Sequence, residues 1–245
     1  MRTTAQLDED RRPDDRLLPP LPALTPLIPR LFGILFLGVG FIGMTIAVAA
    51  GAFSTLDLQV AQAMHEAWQP SLHGLFQAIA ELGSLELTTV LVAGLTFYLW
   101  RSGFGSDALV FVVFIAAQVF ELYYKLNLAH HQPPRSLAEA DGPSITQLFA
   151  PGGEVLANSF PSGHVLRAVI VYGLLAFVIR RLATSPWIRT AAAVVTIAII
   201  TLLSFDRLYL EVHWESDVIG GLLLGAIALP AGTVWLDRPR ANPQN

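Results

Sequence analysis

The chain contains no cysteine. That excludes disulfides, thiol nucleophiles and every cysteine-ligated metal centre. Charge is scarce: Asp, Glu, Lys and Arg make up 14% of the 245 residues, against about 25% in an ordinary soluble domain. Lysine is almost absent, a single Lys125 against fourteen arginines, a bias expected of a GC-rich bacterial genome. No basic cluster exists and the net charge is −4, so nucleic acid is not an expected partner. What the chain has instead is apolar length. Hydrophobic residues reach 53% and the mean hydropathy is +0.55, the profile of a protein with several membrane spans.

Residues 1–30 differ in kind. Acidic Asp8, Glu9, Asp10, Asp14 and Asp15 mix with arginines, and six prolines follow between Pro13 and Pro29. This segment is expected to be a disordered cytoplasmic tail rather than a cleaved signal, being too long, acidic and proline-broken before the first apolar run. Residues 237–245 are expected to be a second, short cytoplasmic tail. Between them, 31–236 reads as one membrane domain. Apolar runs near 31–52, 84–101, 107–130, 163–183, 187–206 and 215–236 predict six transmembrane helices and an all-α, polytopic fold. The amphipathic stretch 55–82 predicts short interfacial helices lying on the membrane surface in the first extracytoplasmic loop.

Orientation follows from the arginines. With the N-terminus in the cytoplasm, eleven of the fifteen basic residues fall on inner segments and none in 53–83. The positive-inside rule then places both termini in the cytoplasm of the cell (inner) membrane. The exceptions are Lys125, Arg135, Arg167 and Arg207. Lys125 lies about 27 Å from the inner end of its span, at 1.5 Å per residue. Arg207 lies near the outer end of the fifth span. Ser162 and His164 open the fourth, and His213 and Asp217 open the sixth. One extracytoplasmic face thus gathers them all, and ionisable residues kept at such a place are functional candidates by default.

Their chemistry suits phosphoryl transfer. In Pro161-Ser162-Gly163-His164, proline suits a first helical turn. The serine hydroxyl and the backbone N–H groups of a helix N-terminus then form an anion site. His164 can exchange a proton near neutral pH. His213 and Asp217 stand four apart, so on a helix they share a face. The carboxylate can fix the imidazole tautomer and leave the other ring nitrogen to attack. Arg207 offers a planar fork for phosphate oxygens, and Lys125 adds a second positive charge.

These segments resemble the type 2 phosphatidic acid phosphatases, membrane lipid phosphatases related in active site to vanadium haloperoxidases. That family carries Lys-x6-Arg-Pro, Pro-Ser-Gly-His and Ser-Arg-x5-His-x3-Asp. The second motif is complete at Pro161 to His164. In the third, Arg207, His213 and Asp217 match, while Asp206 stands in place of serine. In the first, Lys125 and Pro133 match, while Gln132 stands in place of arginine. The resemblance spans roughly residues 50–236. It implies that His213 attacks phosphorus, that Asp217 orients it, and that His164 protonates the leaving group and then activates water. It implies that Lys125, Ser162, Gly163 and Arg207 hold the phosphoryl oxygens, with no metal and no cofactor.

The expected substrate is a membrane lipid phosphate monoester or diphosphate: phosphatidic acid, phosphatidylglycerol phosphate or a polyprenyl diphosphate. The alternatives are a phosphotransferase and a non-hydrolytic lipid-binding or transport relative with an impaired site. Gln132 carries no charge, so Arg167, one turn below His164, or Arg135 is expected to restore it. His130 and His131 read as surface histidines of the loop after the third span, and Glu211 and Glu215 as solvated or interfacial carboxylates. Asp141 and Glu154 have no assigned role.

Overall fold

A computed structural model describes residues 27–102, 107–134 and 158–236, all helical or connecting among those described. Arg135, Asp141, Glu154, most of the N-terminal tail and all of the C-terminal tail lie outside the described residues. Helices form at all six predicted apolar runs: α1 (Leu27–Ala49), α4 (Leu85–Arg101), α5 (Phe111–Asn127), α6 (Gly163–Leu182), α7 (Pro186–Tyr209) and α8 (Glu215–Leu236). Two shorter helices, α2 (Ser54–Ala67) and α3 (Pro70–Ala80), stand between α1 and α4.

The helix ends follow local chemistry. Pro70 and Pro186 open α3 and α7, where a missing N–H costs nothing. Ser84 caps α4, its Oγ accepting from the Leu87 N–H at 3.2 Å. Arg180 and Arg181 close α6, favourably placed toward the negative end of the helix dipole.

Three expectations need correction. Helix α1 begins at Leu27 rather than after residue 30, because Pro29 falls within its first turn, where proline is tolerated. Helix α5 stops at Asn127 rather than near 130. Beyond it the chain runs extended, with a bridge between His131 and Asn158 and the Ser159 N–H donating to the His130 carbonyl at 2.8 Å. The amphipathic stretch forms helices as expected, yet its Asp57 is buried at 3% exposure. It receives the Ser216 N–H and hydroxyl, both at 2.9 Å, and so fixes the start of α8.

Among the described residues four stretches are long and apolar enough to cross a membrane: Leu27–Ala49, Pro70–Arg101 (α3 and α4 together), Pro186–Tyr209 and Glu215–Leu236. Helix α5 has 17 residues, short of the roughly 20 that a spanning helix uses. Helix α6 carries Arg167, Arg180 and Arg181. It is also the centre of the bundle, with twelve of its twenty residues buried. Leu166, Ile170, Val171 and Leu174 join a core that draws on α1, α4, α5 and α8. In α1 only Phe41, Met44 and Val48 are buried, while Leu31, Phe32, Leu35, Phe36, Val39 and Ile42 are exposed.

Helices α6 and α8 approach closely through small residues, as membrane helices commonly do. A Cβ on Gly221 would stand 2.6 Å from the Ser162 carbonyl oxygen, and one on Gly225 would stand 2.6 Å from Val169 Cβ. Phe160, fully buried, stacks on Phe41 of α1 with ring centroids 6.0 Å apart and meets Tyr124 of α5 edge-on at 6.2 Å. The turn that follows Phe160 is therefore clamped from three helices.

Candidate active site

The site sits where α5 and α7 end and α6 and α8 begin. His213 lies in the short loop between α7 and α8, and its Nδ1 is 3.2 Å from Asp217 Oδ2. The Trp214 N–H donates to the same oxygen at 2.9 Å, and Asp217 is fully buried. A carboxylate held in this way accepts the Nδ1 proton and leaves the Nε2 lone pair of a neutral imidazole for chemistry. Burial holds the His213 imidazole below the usual histidine range; Asp217 acts the other way, and Lys125 and Arg207 add to the lowering.

The Pro161–His164 turn is tied directly to that pair. The Ser162 N–H donates to the Asp217 carbonyl at 2.9 Å. Ser162 stands at the N-cap of α6, yet its hydroxyl does not cap the helix. Its Oγ is fully enclosed without a hydrogen-bond partner among the described residues. A buried unsatisfied hydroxyl is costly, and beside the first N–H groups of a helix it is a donor suited to an anion.

Basic residues from three helices lie near this pair and the Pro161–His164 turn. Lys125 occupies the last turn of α5 and Arg207 the last turn of α7. Arg207 is fully buried, its Nε and Nη2 bonding Asp206 Oδ2 at 2.8 and 2.6 Å. Arg167 is 4% exposed and directed at His164, with Nη2 3.4 Å from Nδ1. Arginine can only donate, so this contact assigns the lone pair to Nδ1 and the proton to Nε2 of a neutral His164. The same guanidinium donates to the Gly83 carbonyl at 3.0 Å, to Gln118 Oε1 at 3.1 Å and to Glu121 Oε2 at 3.1 Å. Gln132 lies half-buried between the His131–Asn158 bridge and Pro133.

The motifs do not reveal several participants. Glu121 bonds Lys125 at 2.8 Å as well as Arg167. It stands four residues before Lys125, a helical i,i+4 spacing visible in the primary structure. His130, expected on the loop surface, instead places Nε2 3.4 Å from Asp217 Oδ1 and 3.3 Å from Ser216 Oγ. The first of these is an ion-pair distance rather than a well-formed hydrogen bond. Glu211, expected to be solvated, is 7% exposed and bonds His65 Nδ1 at 3.0 Å. Beside His213 lies a shallow surface groove bordered by Asp57, Met64, Pro133, Glu211 and Trp214. Among the described residues no cluster of three or more histidines and carboxylates is arranged to hold a metal ion.

The sequence profile of the PAP2 superfamily matches residues 107–240. The chain belongs to the PAP2 superfamily. Its match to that profile takes in α5 through α8, and with them Lys125, the Pro161–His164 turn, Arg207, His213 and Asp217. The chain is 26% identical over 194 residues to phosphatidylglycerophosphatase B of Bacillus subtilis (strain 168), covering 76% of this chain and 86% of that protein. It is 29% identical over 152 residues to "Putative undecaprenyl-diphosphatase YbjG" of Escherichia coli (strain K12), covering 61% and 69%. The crystal structure of a transmembrane PAP2 type phosphatidylglycerolphosphate phosphatase from Bacillus subtilis superposes with a TM-score of 0.66 at 24% identity. That match covers 82% of this chain and 94% of the other, so the two share a fold.

Proposed function

We propose that this PAP2 superfamily chain is an integral membrane lipid phosphatase that hydrolyses a lipid phosphate monoester or diphosphate through a phosphohistidine. The observation that carries this reading is the His213–Asp217 pair bonded at 3.2 Å and tied through the Asp217 carbonyl to the Ser162 turn. His213 Nε2 attacks phosphorus. The phosphorus–oxygen bond to the lipid breaks, and the leaving alkoxide takes a proton from His164, which enters this step as the imidazolium formed once the phosphoryl group is bound and leaves it neutral. Water then attacks the phosphohistidine, giving its proton to His164, and phosphate departs. Lys125, Arg207, Arg167, Ser162 Oγ and the N–H groups around Gly163 stabilise the charge on the phosphoryl oxygens. Donors fixed in advance around a developing charge supply much of the rate enhancement in many enzymes. Arg167 supplies the charge that Gln132 lacks. The mechanism uses no metal.

The same reading sets α1 and α4 to α8 across the inner membrane as six spans, with both termini in the cytoplasm and the site facing outward. The arginine distribution supports it. Relatives described as a phosphatidylglycerophosphatase and an undecaprenyl-diphosphatase support a monoester or diphosphate as substrate. One observation favours a second reading, a non-hydrolytic lipid binder. Asp206 replaces the family's serine and engages Arg207 while Gln132 replaces an arginine, which together lower the positive charge of the site.

The test is phosphate release from a panel of lipid phosphates by detergent-solubilised protein, with and without chelator, beside His213→Ala. The phosphatase reading expects release that persists in chelator and disappears in the variant. Equal release from both proteins refutes it.

A further inference from the structure

Glu121 belongs to none of the motifs, yet it lies among the cations of the site. Its Oε1 is 2.8 Å from Lys125 Nζ and its Oε2 is 3.1 Å from Arg167 Nη1, with the side chain 5% exposed. It also lies directly over the first turn of α6: a Cβ on Gly163 would overlap the Glu121 carboxylate. The bare Cα of Gly163 is what admits those oxygens. Two anionic oxygens therefore rest against an ammonium, a guanidinium and the N-terminal turn of a helix, the same donors assigned above to the phosphoryl group. Carboxylate and phosphoryl oxygens cannot occupy that position together.

We propose that Glu121 is an internal ligand of the phosphoryl cradle, seated there when substrate is absent and displaced when a phosphoryl group binds. This rests on the phosphatase reading and deepens it by naming a residue that sets which anions enter. Displacement leaves the cradle intact, because the Gly83 carbonyl and Gln118 Oε1 also hold Arg167. Gln118 Nε2, buried without a partner among the described residues, stands three residues before Glu121 on α5 and offers the displaced carboxylate a donor. The consequence is a charge threshold. A doubly charged phosphomonoester or terminal diphosphate gains electrostatically over the resident carboxylate. A singly charged phosphodiester headgroup gains nothing, so the diester lipids that surround the protein do not occupy its site.

The probes are sulfate, which carries two charges, and dimethyl phosphate, which carries one. Their binding to detergent-solubilised protein is read by thermal stabilisation, which requires no turnover. Failure of the phosphatase reading, seen as no phosphate release from any lipid, therefore stays distinct from failure of this one. Glu121→Gln is expected to bind sulfate about tenfold tighter or more, equivalent to about 1.4 kcal/mol, and to bind dimethyl phosphate measurably where the unaltered protein does not. Equal or weaker sulfate binding in Glu121→Gln overturns the proposal, as does dimethyl phosphate binding to the unaltered protein as tightly as sulfate. Should the variant fail to fold, a structure of the unaltered protein with tungstate decides. The carboxylate lifted from Gly163 supports displacement, and tungstate bound beside an unmoved Glu121 refutes it.

Discussion

Replacing Gly221 by alanine is the sharpest probe of how the two motif-bearing helices cooperate. The added Cβ would stand 2.6 Å from the Ser162 carbonyl oxygen and 3.2 Å from Val165 Cβ, where ordinary contact begins at 3.4 Å. The nearer obstacle is backbone, not the end of a flexible side chain. The turn must retreat by 3.4 − 2.6 = 0.8 Å, carrying Ser162 Oγ and the bond from its N–H to Asp217 with it. A misplacement of about 1 Å in a catalytic constellation costs about a hundredfold in rate, or about 2.7 kcal/mol of barrier. Overpacking separately lowers stability by about 1–3 kcal/mol. Gly225→Ala separates the two effects, since its Cβ would meet Val169 Cβ at 2.6 Å but nothing of the Pro161–His164 turn. The assay is the initial rate of phosphate release in micelles together with thermal unfolding of both variants. Both are expected to lose stability, and only Gly221→Ala to lose about a hundredfold in kcat. Unchanged kcat in Gly221→Ala, or equal rate losses in the two variants, refutes the reasoning.

Two further outcomes follow from the site. His213 must be neutral to attack, and burial lowers its pKa from the ordinary 6.5. The acid limb of kcat/KM, which reports the free enzyme, is therefore expected below pH 6.5. Asp217→Asn removes the group that raises the pKa, so the limb shifts further to acid while the plateau falls; a limb above the ordinary histidine value contradicts this. If Arg167 replaces the charge missing at Gln132, Arg167→Gln lowers kcat/KM by at least about tenfold, the worth of a charge-assisted hydrogen bond. Adding Gln132→Arg to that variant then recovers part of the loss. Steady-state phosphate release checks both, and a double variant no better than the single one counts against the replacement.

The legible part of the site is the part written in contiguous sequence. His213 and Asp217 are related by one helical turn, and Pro161 to His164 form a single turn, so spacing alone predicts their contacts. Counting residues along spans places Lys125 and Arg207, which works because helical rise is constant. Asp57 is not legible, because its bond to Ser216 joins segments 159 residues apart. By local pattern it belongs to a polar face at the membrane surface. His130 misleads for a related reason: its loop pairs with Asn158 and Ser159 and turns inward, and local polarity carries no sign of that pairing. Glu121 is within reach of the i,i+4 rule through Lys125, but its importance shows only in its position over Gly163. Helix ends shift where capping and proline position outweigh hydropathy, as at Leu27 and Asn127.

The stacking of Phe41 on Phe160 bears on what counts as the enzyme's minimal unit. The superfamily profile begins at residue 107, so the segment that the profile describes excludes α1. Yet Phe41 forms part of the wall behind Pro161, and Met44 and Val48 lie in the same core. A chain cut to the profile segment would keep the Pro161–His164 turn with Arg207, His213 and Asp217, and would expose the aromatic backing of that turn. The profile segment and the folding unit thus have different borders here, and a transplanted or truncated version of this site needs the first helix as masonry rather than as an anchor.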